Sequence, residues 1–290
     1  MCAATAPATT TTAYPRVRRI RFPFGAAKSS DRYFVENDIV FSHFIAGLSG
    51  GFPSGEEGFI RSVRRFADQI TDPVLKKRVA AFIGQEAMHG REHRQLNDRL
   101  IELGYPIAWL DTEKYKERMI RTENRFSGFV HLAVTAAAEH YTAVLAERVL
   151  SSPEIQAIPG EAEVWNLLNW HALEELEHKS VAFDVYRAVG GSEFTRIATM
   201  FVLFALTTPF VLSSLAVSIA SDPHARTRPL TVVRQTWNLL RGPMFRGLMP
   251  ELAKYMKPGF HPDDIDTNAL LQQWQAELFG AEGTLVDHLK

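Results

Sequence analysis

From Leu75 to Leu100 the residues at alternating steps of four and three read Leu75, Val79, Phe82, Glu86, His89, His93, Leu96, Leu100. Such steps keep all of these side chains on one face of an α-helix. A face that is apolar at both ends turns toward a core, so this one carries three ionisable groups inward at its middle. An unpaired charge in a core costs several kcal/mol, and the chain folds only if something satisfies those groups. Glu86 and His89 form Glu-x-x-His, which places two donors within reach of one ion. Asp72-Pro73 supplies an N-cap and a first-turn proline, and Gly104 marks the end of the helix.

Three more segments repeat the theme. A helix over 164–189 has the stripe Val164, Leu168, His171, Glu175, His178, Ala182, Val185, Val189. Glu175 and His178 make a second Glu-x-x-His, with His171 one turn earlier. Glu174 and Glu177 begin a poorer stripe that also meets Asp184, and read as neighbours of the ligands or as solvated. In a helix through residues 134–143, Glu139 shares a face with Leu132, Thr135, Ala136, Thr142, Ala143 and Ala146, while His140 points about 100° away. The run Phe52-Pro53-Ser54-Gly55-Glu56-Glu57 looks like a helix start, with Ser54 and Glu57 as a capping box. Glu57 continues into the solvated Arg61, Arg64, Arg65 and Asp68, whereas Glu56 leads into Phe59, Ile60, Val63, Ala67 and Ile70.

Each acid alone has an ordinary explanation, such as a helix-dipole partner or an accidental polar seam. Together they form a set. One Glu from each of two helices and Glu-x-x-His from each of two others is the donor set of dinuclear carboxylate sites in ferritin-like bundles. The expected fold is all-α, a ferritin-like four-helix bundle with additional C-terminal helices, forming a single domain over 16–290 behind a disordered tail at 1–15. One cysteine, Cys2, excludes an intramolecular disulfide, a thiolate zinc site and an iron–sulfur cluster. A net charge of −1 argues against a nucleic-acid partner, which demands an excess of Lys and Arg.

Other segments bear on location. The tract MCAATAPATTTTAYP lacks the basic start and apolar run of a secretory signal, so the expected location is cytoplasmic. Arg16, Arg18, Arg19 and Arg21 read as solvated arginines on an extended strap, or as contacts to anionic lipid headgroups. Residues 197–220 hold no formal charge and as a helix would span about 36 Å. They fit either a membrane-crossing or membrane-dipping helix or, given Pro209 and six hydroxyl residues, a kinked helix or hairpin buried in the bundle.

The runs Phe52-Pro53-Ser54-Gly55-Glu56, Gln85-Glu86-Ala87-Met88-His89, Glu139-His140-Tyr141-Thr142-Ala143 and the stretch from Glu174 to Tyr186 resemble the predicted metal-dependent hydrolases of the ferritin-like superfamily, over residues 15–280. A narrower resemblance lies in His171-x-x-x-Glu175-x-x-His178, which is similar to the run in di-iron arylamine N-oxygenases, where an extra histidine joins six ligands. Carried over, the resemblance implies the ligands Glu56, Glu86, His89, Glu139, His171, Glu175 and His178. His93, Glu174, Glu177 and His140 are further candidates as ligands or neighbours. The implied cofactor is a pair of iron ions, with manganese or zinc as alternatives. The expected function is O2 activation to oxidise or oxygenate a small hydrophobic substrate, using an external electron donor and no acid or base apart from the ligands. The alternative is a metal-dependent hydrolase with a metal-bridging hydroxide. A second copy of the chain and a membrane contacted through 197–220 complete the candidate partners.

Overall fold

A computed structural model describes residues 15–24, 32–35 and 37–290. The tail expected over 1–15 lies outside the described residues except for Pro15, as does Cys2. Among the described residues there is no strand, only the isolated bridges Ile20–Leu289 and Val35–Gly160. The chain is all-α, as its periodicity requires. The helices are α1 (Ile39–Arg64), α2 (Pro73–Glu102), α3 (Glu113–Glu123), α4 (Gly128–Ser151), α5 (Pro153–Gln156), α6 (Ala162–His178), α7 (Val181–Ala188), α8 (Glu193–Ser221), α9 (Pro223–Thr227), α10 (Pro229–Arg241), α11 (Leu248–Lys254) and α12 (Asn268–Phe279).

Four of them close a ring: α1 packs on α2, α2 on α6, α6 on α4 and α4 on α1. The buried apolar residues fall into two clusters at opposite ends of this ring. On α2 one cluster takes Leu75, Val79 and Phe82 and the other takes Leu96 and Leu100. On α4 one takes Leu132, Ala133, Ala136 and Ala137, with Val144, and the other takes Ala143, Ala146 and Leu150. Glu86, His89 and His93 lie between the clusters on α2, and Glu139 and His140 on α4. The bundle therefore has two apolar halves and a polar waist.

The helix carrying Glu56 is longer than expected. It does not begin near Ser54 but at Ile39, where the Asp38 side chain caps it by accepting from the Phe41 amide. Burial of Ile39, Val40, Phe41, Phe44 and Ile45 extends the helix through Gly50, Gly51 and Pro53. Proline has no N–H, so the carbonyl four residues back, that of Ser49, loses its helical donor. Asn97 Nδ2 on α2 donates to that carbonyl at 2.9 Å and restores the bond. The expected capping box is absent: Ser54 Oγ donates to the Leu110 carbonyl, and Glu57 pairs with Arg94 and Arg61. Gly50 is needed for close approach, because a Cβ there would lie 2.9 Å from Leu110 Cδ1.

The helix expected over 164–189 is interrupted at Lys179–Ser180, giving α6 and α7. Tertiary contacts hold the break: Lys179 Nζ donates to the Ile265 carbonyl and Ser180 Oγ accepts from Arg78. The residues after the break, Val181, Ala182, Val185 and Tyr186, stay buried, so the apolar stripe survives the interruption.

The segment 197–220 lies within one continuous helix, α8, which the structure does not bury. Only Arg196, Thr199, Met200 and Ser218 of α8 are buried, the helix resting on α4 and α1 by one side. Among the described residues it is the one helix long and apolar enough to cross a membrane. The strap also differs from expectation. Arg18 is buried, and Val17 lies so close to α2 that a Cβ on Gly84 would be 2.6 Å from it.

Asp222, at the end of α8, joins the N-terminal segment to the bundle. It accepts from His43 Nε2 at 3.1 Å, Arg32 Nε at 3.1 Å and Tyr33 Oη at 2.9 Å. Burial works to raise its pKa, but these partners and the His224 amide outweigh it and hold the carboxyl well below its ordinary 3.8. A depressed carboxyl pKa contributes stability that is present above the unfolded value and lost as pH falls through the folded one. Asp222→Asn is expected to lower stability at neutral pH by about 2 kcal/mol. The gap to wild type should narrow as pH drops below 3.8, read from urea unfolding midpoints.

Candidate metal centre

The polar waist brings together the seven residues Glu56 of α1, Glu86 and His89 of α2, Glu139 of α4, and His171, Glu175 and His178 of α6. All are buried. Three overlapping groups have donor atoms close enough to share an ion: Glu56, His89 and His171; Glu86, Glu139 and His178; and Glu86, His89 and Glu175. His178 Nε2 lies 3.3 Å from Glu86 Oε1, 3.4 Å from Glu139 Oε2 and 3.6 Å from Glu175 Oε1. His89 Nδ1 lies 3.7 Å from both Glu86 Oε2 and Glu175 Oε1. His171 Nε2 lies 2.9 Å from Glu175 Oε1 and 3.8 Å from Glu56 Oε1. Glu86 thus offers one oxygen to each side of the cluster, and Glu175 Oε1 sits near all three imidazoles.

The outward nitrogens of the three histidines are each occupied. His89 Nε2 donates to Glu174 Oε2 at 3.1 Å and His178 Nδ1 donates to Gln85 Oε1 at 2.9 Å. The tautomer of His171 follows from a chain of four bonds. The Ser49 carbonyl can only accept, so the amide of Asn97 turns its nitrogen to it and its oxygen to Ser49 Oγ, which donates at 2.7 Å. Ser49 Oγ therefore accepts from His93 Nδ1 at 2.8 Å, and His93 Nε2 accepts from His171 Nδ1 at 2.7 Å. His171 Nε2 is left with a lone pair pointing at the carboxylates. All three imidazoles so present an unprotonated nitrogen inward, the orientation that metal-binding histidines take from such partners.

That arrangement calls for a cation. Both oxygens of Glu56, Glu86 and Glu139, Glu175 Oε2, His89 Nδ1 and His178 Nε2 are buried with no hydrogen-bond partner. Native proteins pair nearly all such groups. At His171 and Glu175 two acceptors face each other at 2.9 Å. Burial, and then the Glu86 charge, pushes the pKa of Glu56 and Glu139 well up; burial raises Glu86 as well. Burial lowers His171 to about 4. Oxygen and nitrogen donors with no thiolate suit hard to borderline divalent ions, so the residues present fit a metal.

The remaining candidates stand outside the cluster. His93 contacts Ser49 and His171 and faces no carboxylate of the centre. Glu174 is fully buried rather than solvated and accepts from both His89 and Arg18. Glu177 pairs with Arg18, Gln85 and Gln275. His140 Nε2 donates to the Glu251 carbonyl, away from the cluster. Sequence reasoning does not find Ser49 and Asn97 and reads Arg18 as solvated or lipid-facing, because their roles arise only across elements; the signal for Ser49 is Pro53 four residues later. It also passed over the aromatic wall. Phe52 lies against His93 and His171, with ring centroids 4.8 and 4.6 Å away. Trp170 meets His89 edge-on at 4.9 Å and Phe82 meets His178 edge-on at 5.0 Å.

The family model described as "Predicted metal-dependent hydrolase" matches residues 16–266. No curated protein and no solved structure matches the chain.

Removing the partner of one histidine tests this geometry. Gln85→Leu, which frees His178 Nδ1, is expected to weaken metal affinity about 10- to 100-fold without unfolding the bundle. Competition with a chromophoric chelator measures the first and circular dichroism the second.

Proposed function

The chain belongs to the predicted metal-dependent hydrolase family, and from that membership we propose that it is a hydrolase working through a dinuclear centre held by Glu56, Glu86, His89, Glu139, His171, Glu175 and His178. The observation that carries this reading is the set of buried acceptors without partners, which converge on one point from four helices. Glu56, His89 and His171 would hold one ion, and Glu139 and His178 the other. Glu86 and Glu175 lie between the two groups and would serve both. Four carboxylates balance the charge of two divalent ions, which removes most of the penalty for burying them. Bound ions would polarise the scissile group and supply the nucleophile.

The chain's own groups do the rest. Glu174, Gln85 and His93 aim the imidazoles and keep their protons on the outward side. Arg18, paired with Glu174 at 2.9 Å, holds in place the carboxylate that receives His89. Phe52, Phe82 and Trp170 line the rings of the histidines and exclude water from them.

One observation favours a second reading. A Glu from each of two helices and Glu-x-x-His from each of two others, gathered in a helical bundle, is the donor set of ferritin-like carboxylate proteins that handle iron. Under that reading the centre is di-iron and the chain an oxidase or oxygenase that consumes O2 with electrons from an external donor.

One preparation separates the two. Metal-free protein is reloaded with Mn(II), Zn(II) or anaerobic Fe(II) and the bound metal is counted. Each form is then assayed on a panel of esters, amides and phosphoesters, and the Fe(II) form for O2 uptake. Hydrolysis by the redox-inert zinc form, at the same rate with and without oxygen, supports the hydrolase. Oxygen uptake confined to the iron form, with no hydrolysis by any form, overturns it in favour of the oxidase. Glu175→Ala and His178→Ala should each lose most of the bound metal. Retention of a full complement in both would refute the assigned ligands.

A further inference from the structure

From Ile197 to Pro250 the chain holds a single acid, Asp222, which is buried and already paired with Arg32 and His43. The same stretch has five arginines, Arg226, Arg228, Arg234, Arg241 and Arg246. All five are exposed, and among the described residues none pairs with a carboxylate. Beside this basic region lies a large apolar surface. On the outer side of α8, Leu206 is 67% exposed and Val217 68%, with Phe201, Phe210 and Leu212 also open to solvent. Trp109 adds to it, lying against Phe210 with ring centroids 6.3 Å apart.

Helix α10, joined to α8 through α9, repeats the arrangement on a smaller scale. Leu230, Val233, Trp237 and Leu240 follow helical steps of three and four and are all exposed, Leu230 at 84%. The Arg241 guanidinium covers the Trp237 ring at 3.8 Å. An aromatic residue and arginines beside an outward apolar face make the composition of helices that lie in a membrane–water interface.

We propose that the outer face of α8, with Trp109 and the exposed face of α10, docks this protein on an anionic lipid surface, with α8 lying in the plane of the interface. Charge decides between lipid and a second copy. A two-fold contact sets the same patch against itself and would bring against one another arginines that pair with no carboxylate among the described residues. Acidic headgroups complement them instead, and a membrane's negative surface attracts each. Packing decides between lying on and crossing. Met200 and Leu203 seat one end of α8 in one apolar cluster, and Leu215 and Ile219 seat the other end against the second. Buried Arg196 ties its first turn to the carbonyls of Tyr255 and Lys257. A helix attached lengthwise to the bundle would have to take the bundle's charged residues across with it.

The full chain can be sedimented with vesicles of phosphatidylcholine, with and without phosphatidylglycerol. Binding is expected only with the anionic vesicles and should weaken as NaCl rises. The double variant Leu206→Ser/Val217→Ser should lose at least about tenfold in binding. Arg228→Gln and Arg234→Gln should each lose roughly fivefold. Metal content of every variant, at the wild-type level, confirms that the bundle is intact. Lipids brominated near the headgroup should quench the emission of Trp109 and Trp237, a signal that the double variant Trp109→Phe/Trp237→Phe removes. The proposal is overturned if the protein ignores anionic vesicles, or if the apolar variants bind as wild type does. It is also overturned if light scattering shows a dimer that Leu206→Ser/Val217→Ser dissolves, or if carbonate washing fails to release the protein and so marks a spanning helix.

Discussion

Four carboxylates buried side by side are the constraint on which the rest of this fold depends. Glu56, Glu86, Glu139 and Glu175 come from four helices and are removed from water together. Three of them have neither oxygen hydrogen-bonded. Mutual repulsion and desolvation both oppose such a cluster, and hydrophobic burial alone does not cancel them. The two apolar clusters above and below the waist hold the helices together, and positive charge at the waist would offset its cost. Bundle stability and metal occupancy are therefore linked, since whatever binds the folded waist and not the open chain shifts the folding equilibrium.

Around the carboxylates, a layer of ordinary hydrogen bonds converts flexible side chains into a fixed geometry. The most instructive runs Asn97, Ser49, His93, His171. It begins at a backbone carbonyl that Pro53 leaves without a donor, so a helix defect becomes the anchor of a site residue. On the other side the strap reaches both remaining histidines. Arg18 contacts Glu174, which receives His89, and the Arg16 carbonyl accepts from Gln85, which receives His178. The strap is held in turn by the chain's end, through Arg21 to His288 and Lys290 to Arg19. Residues far apart in the chain thus converge on the aim of two imidazole rings.

Much of the waist was legible in the sequence because helices translate spacing into direction. Steps of three and four put Glu86 and His89, or His171, Glu175 and His178, on one face without knowledge of any neighbour. The apolar residues on either side showed that this face is inward. The same logic separated Glu139 from His140 and Glu56 from Glu57. It failed where a local signal competed with tertiary packing. Ser54 and Glu57 have the form of a helix start, but the apolar run from Ile39 to Ala46 gains more by burial than a cap gains by a hydrogen bond, and the helix runs straight through. It failed also at Lys179–Ser180, where contacts from Arg78 and residues 265–267 break a helix that periodicity continues.

The sequence by itself determined that the chain is helical and which faces turn inward, His93 sharing one of them with Glu86 and His89, since this rests on periodicity within single helices; the set of seven came from the family resemblance. Only the tertiary structure decided that the four helices meet with those faces in register. It also decided which nitrogen of each histidine points inward, that His93 orients His171 from outside the cluster, and that α8 keeps its outer side uncovered. Each of these depends on contacts between residues 40 to 160 positions apart or more, such as Ser49 with Asn97 or Arg18 with Glu174. No local pattern encodes the partner across such a gap, because the distance closes only when the whole bundle has packed.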